Sequence, residues 1–474
     1  MILHIGRVIL VLIEVLVIFN LLIVVHEIGH FLAARWRGLY IEKFGIWFGK
    51  PIWKKKINGV QYSFGSMPFG GFVALPQLAP MDIIEGKADV DRAELPPISA
   101  LDKIIVAIAG PFFSLLLAIV FAALVWVAGY PVSESDMTTT VGYVMPESPA
   151  KGQLQPGDKI LEVDGKRVTR FLGMNESVSW AVVRSEGDTI SIKFERDGKV
   201  QTVNVEPYKA ETRGWRRKSV RQLLILPAET PIIDKVEPDS PAEKAGLRKG
   251  DIIRAINGQR IHSPIALAEH TKTHPDESMT LRVEREGSSF DVNVTPVPMK
   301  VEDETATRPR IGIGWDTKLT ISHPAPLEQV YKSVTSTFNT LGAVISPKSD
   351  VKLQHLSGPI GIGRIYFLFF QSEHGWQLVL WLSVVLNVNL AILNMLPIPV
   401  LDGGHILFGV IESVRRRPLN MRVLEVVQGV CTVLIIGAIA YISFFDVQDI
   451  PFVKRMLDKY APQQSQKAKN TDVP

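Results

Sequence analysis

An apolar run from Ile9 to Val25 passes without a break into His26-Glu27-Ile28-Gly29-His30, and this junction constrains the chain more than any other stretch of it. Two histidines four apart on a helix are displaced by roughly 40° around its axis, so both imidazoles project from one face. Both can then bind one Zn²⁺, while Glu27 reaches a water in the open coordination position as general base. Chance occurrence of a short pattern is the plain alternative. Against it, ionisable side chains at membrane depth are costly and mark function. The expectation is a metal site inside a membrane-spanning helix.

At 474 residues the chain needs several units, and 46% hydrophobic content suits a hybrid of spans and soluble modules. A net charge of +4, with no long basic block interleaved with aromatics, argues for no nucleic acid partner. Cys431 is the only cysteine, so neither a disulfide framework nor a thiolate zinc site is available, and any metal must use His and carboxylate ligands. The N-terminal run is too long for a signal peptide and leads into the histidines, so it reads as a retained span.

Four apolar runs, about 5–34, 104–130, 375–396 and 423–445, approach the ~20 residues a span requires. Basic residues follow the first (Arg35, Arg37, Lys43, Lys50, Lys54, Lys55, Lys56) and lie between the third and fourth (Arg415, Arg416, Arg417, Arg422). The positive-inside rule puts both loops in the cytoplasm, and both termini with the long middle segment on the other side. The lipid bilayer is thus one partner.

The expected organisation is a first span in 1–35, a membrane-associated β-sheet in 36–76, a linker in 77–103 and a second span in 104–130. Soluble domains follow in 138–228 and 229–316, then a membrane-apposed segment in 324–370. The third span with an Asp-Gly motif occupies 375–410, a basic loop 411–422, the fourth span 423–446, and an amphipathic helix and tail 447–474. Within the sheet, 41–48, 51–56, 60–64 and 70–75 read as short strands, and Asn58-Gly59 signals a hairpin because a type I′ turn needs positive φ twice. Gly110-Pro111 in the second span suggests a kink. Ser357–Ile362 reads as a turn.

Residues 138–316 contain a repeat. Ser148-Pro149-Ala150, Gly157-Asp158 and Asp164-Gly165 recur as Ser240-Pro241-Ala242, Gly250-Asp251 and Asn257-Gly258. The pattern resembles tandem PDZ domains of the bacterial, protease-associated type. No Gly-Leu-Gly-Phe loop is evident, so a peptide or protein ligand is one expectation and steric filtering another.

Two histidines leave a catalytic zinc short of a protein ligand. Asp402, in Asn394-Met395-Leu396-Pro397-Ile398-Pro399-Val400-Leu401-Asp402-Gly403-Gly404-His405, is the best candidate. The prolines break the third span, which membrane proteins tolerate where a polar cavity is lined. His405 competes and ranks lower, and a capping Asp is the plain alternative. Asn394 is the candidate donor to substrate backbone or oxyanion. Gly45, Gly49, Pro397 and Pro399 are further candidate substrate contacts.

The pair His-Glu-x-x-His and Asn-x-x-Pro-x-Pro-x-Leu-Asp-Gly resembles the site-2 protease family of intramembrane zinc metalloproteases. The likeness runs from the first span to the end of the fourth and covers the PDZ-like repeats. It implies a polytopic α-helical membrane protein of four transmembrane helices, with a small membrane-associated β-sheet and two extracytoplasmic PDZ-like α/β domains, in a bacterial inner membrane. It also implies His26, His30 and Asp402 as Zn²⁺ ligands, Glu27 as general base, Asn394 as a substrate-positioning residue and the 41–75 sheet as a substrate-binding element. Expected partners are transmembrane substrates such as a trimmed anti-sigma factor or remnant signal peptides. Ser114 departs from the family pattern, where Asn is common. A scaffold with a structural metal and a metal transporter are the rivals; neither uses all of Glu27, Asp402 and the repeats.

Overall fold

The computed structural model describes residues 2–78, 95–212, 214–300, 307–417 and 419–450. Most of the acidic linker and the expected C-terminal helix and tail lie outside the described residues. Seven helices outside the repeats position the site: α1 (Ile2–Trp36), α2 (Ala100–Ala128), α3 (Pro326–Ile345), α4 (Pro359–Gln371), α5 (Gly375–Asn394), α6 (Asp402–Arg415) and α7 (Met421–Gln448). Of these, α1, α2, α5 and α7 are long and apolar enough to cross a membrane.

Local chemistry sets the ends of these helices. Gly38, at φ +75°, caps α1 in the left-handed region while the Leu39 N–H returns to the Ala34 carbonyl. Ser99 caps α2 by accepting from the Asp102 N–H, and Asp102 in turn takes a 2.6 Å hydrogen bond from Arg37 Nε at the end of α1. Small residues then let the first two spans close. A Cβ on Gly29 of α1 would stand 2.4 Å from the Ala109 carbonyl oxygen of α2, so only glycine permits this crossing. Ala33, Ala34, Val73, Leu75 and Val106 form one buried cluster joining α1, the sheet and α2.

Two strands, β1 (Lys43–Ile57) and β2 (Val60–Ala74), meet at the expected Asn58-Gly59 turn, with φ of 49° and 87°. Each strand is continuous but bent, at Trp47 and Gly49 in β1 and at Gly70 in β2, all at positive φ. Residues 43–46 pair with 71–74 on one side and, running in the same direction, with 61–64 on the other; 51–57 return against 60–65. Two bent strands thus make four short segments, in the order 71–74, 43–46, 61–64, 51–57. The outer edges are 71–74 and 51–57.

Two local expectations are corrected. Ser357–Ile362 is not a turn for most of its length: Pro359 opens α4, and buried Asp446 of α7 accepts from the Gly358 and Gly361 N–H groups at 2.8 and 3.0 Å. The basic loop is helical as far as Arg415, where a good helix former meets no breaker until Pro418. Pro111, at the expected kink, sits inside a continuous α2.

The soluble region is an insertion on a two-stranded neck, Tyr130–Ser133 antiparallel to Leu319–Ser322. Each repeat carries its own buried core. The recurring Gly-Asp turn has one physical purpose in both. Asp158 and Asp251 are buried, take bidentate bonds of 2.6–2.7 Å from Arg196 and Arg285, and cap the Gln155 and Arg248 N–H groups at 2.8 Å. Burial alone would raise the Asp251 carboxyl, but Arg285 and the Arg248 N–H outweigh it and hold the group below its ordinary range.

Candidate metal centre

The histidine pair sits about three-quarters of the way along α1, and α2 orients both rings. His30 Nδ1 lies 2.8 Å from the Val106 carbonyl, an acceptor, so this nitrogen carries the proton and Nε2 keeps its lone pair. His26 Nδ1 lies 3.0 Å from Ser114 Oγ, which leaves its Nε2 facing the same space. Ser114 is fully buried; the residue that departs from the family's common Asn still supplies a polar partner for a metal-site histidine.

Asp402 arrives from the far end of the chain as the first residue of α6. Its two oxygens lie 3.2 Å from His26 Nε2 and 3.2 Å from His30 Nε2, and the two Nε2 atoms are 3.2 Å apart. All three ligand atoms fall within 4.8 Å of one another. Two imidazole lone pairs and a carboxylate this close repel one another unless a proton or a metal cation lies between them, and one His₂Asp set with an open side fits Zn²⁺. The 395–401 break brings Asp402 here by folding back on α6. A Cβ on Gly403 would lie 2.3 Å from the Met395 and Leu396 carbonyl oxygens, and one on Gly404 2.3 Å from that of Ile398. Both glycines are therefore steric requirements of the approach.

A cavity of about 230 Å³ opens on the three ligands and is also lined by Glu27, Asn394, His405, Val73 and Leu75. Glu27 is accommodated by β2: a Cβ on Gly71 would sit 3.3 Å from Glu27 Cγ. Asn394, the last residue of α5, places Nδ2 3.3 Å from His26 Nε2. His405 lines the cavity but is not part of the ligand cluster. The remaining candidates lie elsewhere. Gly45 is buried under the Phe72 ring, Gly49 forms the exposed bend of β1, and Pro397 and Pro399 shape the break, with the Pro399 carbonyl accepting from Gln428. None of the four lines the cavity.

Sequence reasoning missed Gly110. A Cβ there would stand 2.2 Å from His30 Nε2 and 2.8 Å from His26 Nε2, so α2 backs directly onto the two ring nitrogens that face Asp402. Its neighbour Pro111 has no N–H, so the Ala107 carbonyl lacks its intrahelical donor, and Ala107 lines the cavity. A glycine-proline pair beside a polar site was the available signal.

Residues 14–438 match the model of peptidase family M50. Relatives align over nearly their whole length. A candidate zinc metalloprotease of Neisseria meningitidis is 30% identical over 90% of this chain and 97% of its own. The regulator of sigma-E protease RseP of Escherichia coli is 27% identical over 91% of this chain and 97% of its own, and the regulator of sigma E protease of Salmonella typhi 28% identical over 90% and 96%. Among solved structures, a PDZ domain of the SdrC-like protein of Listeria monocytogenes matches 18% of this chain and 87% of its own at 17% identity and a TM-score of 0.16, too slight to bear on either repeat. With the match covering the cluster from His26 to Asp402 and reaching into all four long apolar helices, the chain belongs to peptidase family M50, the site-2 protease family.

Proposed function

We propose that this protein is an intramembrane zinc endopeptidase of a bacterial inner membrane, cutting peptide bonds within the transmembrane segments of single-span proteins. The observation that carries the reading is one cavity holding Glu27 together with His26, His30 and Asp402, on helices apolar enough to lie in a bilayer. A zinc ion held by those three residues would supply Lewis acidity towards water and a scissile carbonyl. Glu27, one residue from a ligand and on the cavity wall, is suited to take a proton from the attacking water and return it to the leaving amine. Asn394 offers an amide N–H to the substrate backbone or developing oxyanion. The test is cleavage of a single-span substrate in reconstituted vesicles, abolished by chelator and restored by Zn²⁺. Cleavage that persists without metal, or zinc flux with no cleavage, would overturn the reading.

A transmembrane substrate shields its carbonyls in helical hydrogen bonds and must be unwound before attack. The outer edge 71–74 supports capture of the substrate as an added strand, because Val73 and Leu75 line the cavity from that side. Proline at Val73, which removes an outward-facing N–H of this edge, is expected to slow cleavage of a helical substrate at least 10-fold. Equal rates with proline on both outer edges would refute strand capture.

The names of the relatives support a place in sigma-E-type envelope signalling, with a trimmed anti-sigma factor or remnant signal peptides as substrates. The charge distribution supports an extracytoplasmic insert and termini. On this reading the PDZ-like repeats exclude substrates with bulky outer domains, and a groove of about 840 Å³ beside Lys272, Arg310 and Trp315 offers a place for a peptide or protein ligand. Because the neck strands pair, residues 138–315 can be replaced by a short turn. That deletion is expected to permit cleavage of untrimmed substrates, and unchanged discrimination would count against the filter.

A further inference from the structure

Asn20 lies on α1 six residues before His26, outside the metal cluster, and a polar side chain on a spanning helix calls for a partner. Its Nδ2 donates to the Leu16 carbonyl at 2.7 Å, within the helix, and to the Pro68 carbonyl at 3.3 Å; its Oδ1 accepts from Trp47 Nε1 at 2.6 Å. The last two bonds reach the bends of both strands, for Trp47 precedes Gly49 and Pro68 precedes Gly70, each by two residues. Trp47 holds φ at 68°, a conformation a bulky residue keeps only where its surroundings impose it, and its ring packs on Phe64 with centroids 4.2 Å apart.

A second attachment lies further along the same helix, where Gly71 meets Ile23 and Glu27. The sheet is thus held against α1 at two points, at one by hydrogen bonds and at the other by the close approach a glycine permits.

We propose that Asn20 is a positioning residue that sets the depth at which segment 71–74 lies against the metal cluster. In hydrocarbon the Trp47 indole N–H and the Pro68 carbonyl have no water to turn to, so the polar pairing selects this placement over a slid or lifted sheet. The inference rests on the proposed role of that edge in binding substrate.

Asn20→Leu keeps the size and removes both bonds to the sheet; Trp47→Phe removes the donor alone. Both are expected to retain bound zinc, to exchange amide hydrogens faster across 43–74, and to lose about 10-fold or more in kcat/KM for a single-span substrate, chiefly through KM. The double variant is expected to be no worse than the more affected single variant. Unchanged exchange in Asn20→Leu overturns the proposal, and so does loss of zinc, which would place the effect at the metal cluster. Faster exchange with wild-type cleavage would leave Asn20 as the anchor but remove the edge from substrate binding.

Discussion

Glu27→Gln is expected to retain stoichiometric zinc yet cleave a reconstituted single-span substrate about 10²–10⁴-fold more slowly, the range general acid–base catalysis supplies. The substitution is nearly isosteric and leaves all three ligands in place: the cluster is His26, His30 and Asp402, with Glu27 on the cavity wall. Metal content by mass spectrometry and turnover of the same preparation separate binding from chemistry. Zinc bound with turnover unchanged would remove Glu27 from the mechanism. Zinc lost would make Glu27 part of the metal's support. A structural metal or a transit site has no use for a base beside it, so this one variant also weighs the scaffold and transporter alternatives.

Gly110→Ala is expected to separate folding from metal binding. In a helix interior alanine is favoured over glycine by about 0.8–1.0 kcal/mol, so the backbone of α2 gains nothing from glycine at this position. The added methyl, however, would stand 2.2 Å from His30 Nε2 and 2.8 Å from His26 Nε2. The ring ends must move to relieve the overlap, and they are the ends that carry the metal-binding lone pairs. Displacements of about 1 Å cost on the order of 10²-fold in rate, and lost ligand alignment weakens metal affinity as well. The expected result is a variant that inserts and melts like the parent but binds zinc at least 10-fold more weakly and cleaves at least 10²-fold more slowly. Parental zinc affinity with parental turnover would contradict the close approach of α2 to the two rings.

The histidine spacing, the apolar runs and the broken third span each follow from the period of one element, so local sequence carries them. The same holds for the Asn58-Gly59 turn, whose φ values of 49° and 87° are what a two-residue hairpin demands. The repeated Gly-Asp turns were readable as a repeat, but not as buried anchors for Arg196 and Arg285, which lie more than thirty residues further on. Glycines were the hardest to read. Gly29 and Gly110 look like weak points in helices until a second helix is laid against them. Gly45 and Gly49, candidate substrate contacts, lie in the sheet away from the cavity, Gly45 under the Phe72 ring and Gly49 at the bend of β1.

Sequence by itself determined the chemistry and the medium: which side chains can bind a metal, which one can move a proton, and that the helix carrying them is apolar enough for a bilayer. Those properties belong to residue types and to their spacing within single elements. Only tertiary structure decided that Asp402 closes on His26 and His30, that Val106 and Ser114 fix the two rings, and that 71–74 rather than 51–57 is the edge beside Glu27. Each of these joins residues far apart in the chain, where the contact depends on how closely two backbones approach. That distance is set by glycine, carbonyl and ring packing between elements, and no periodicity within one element records it.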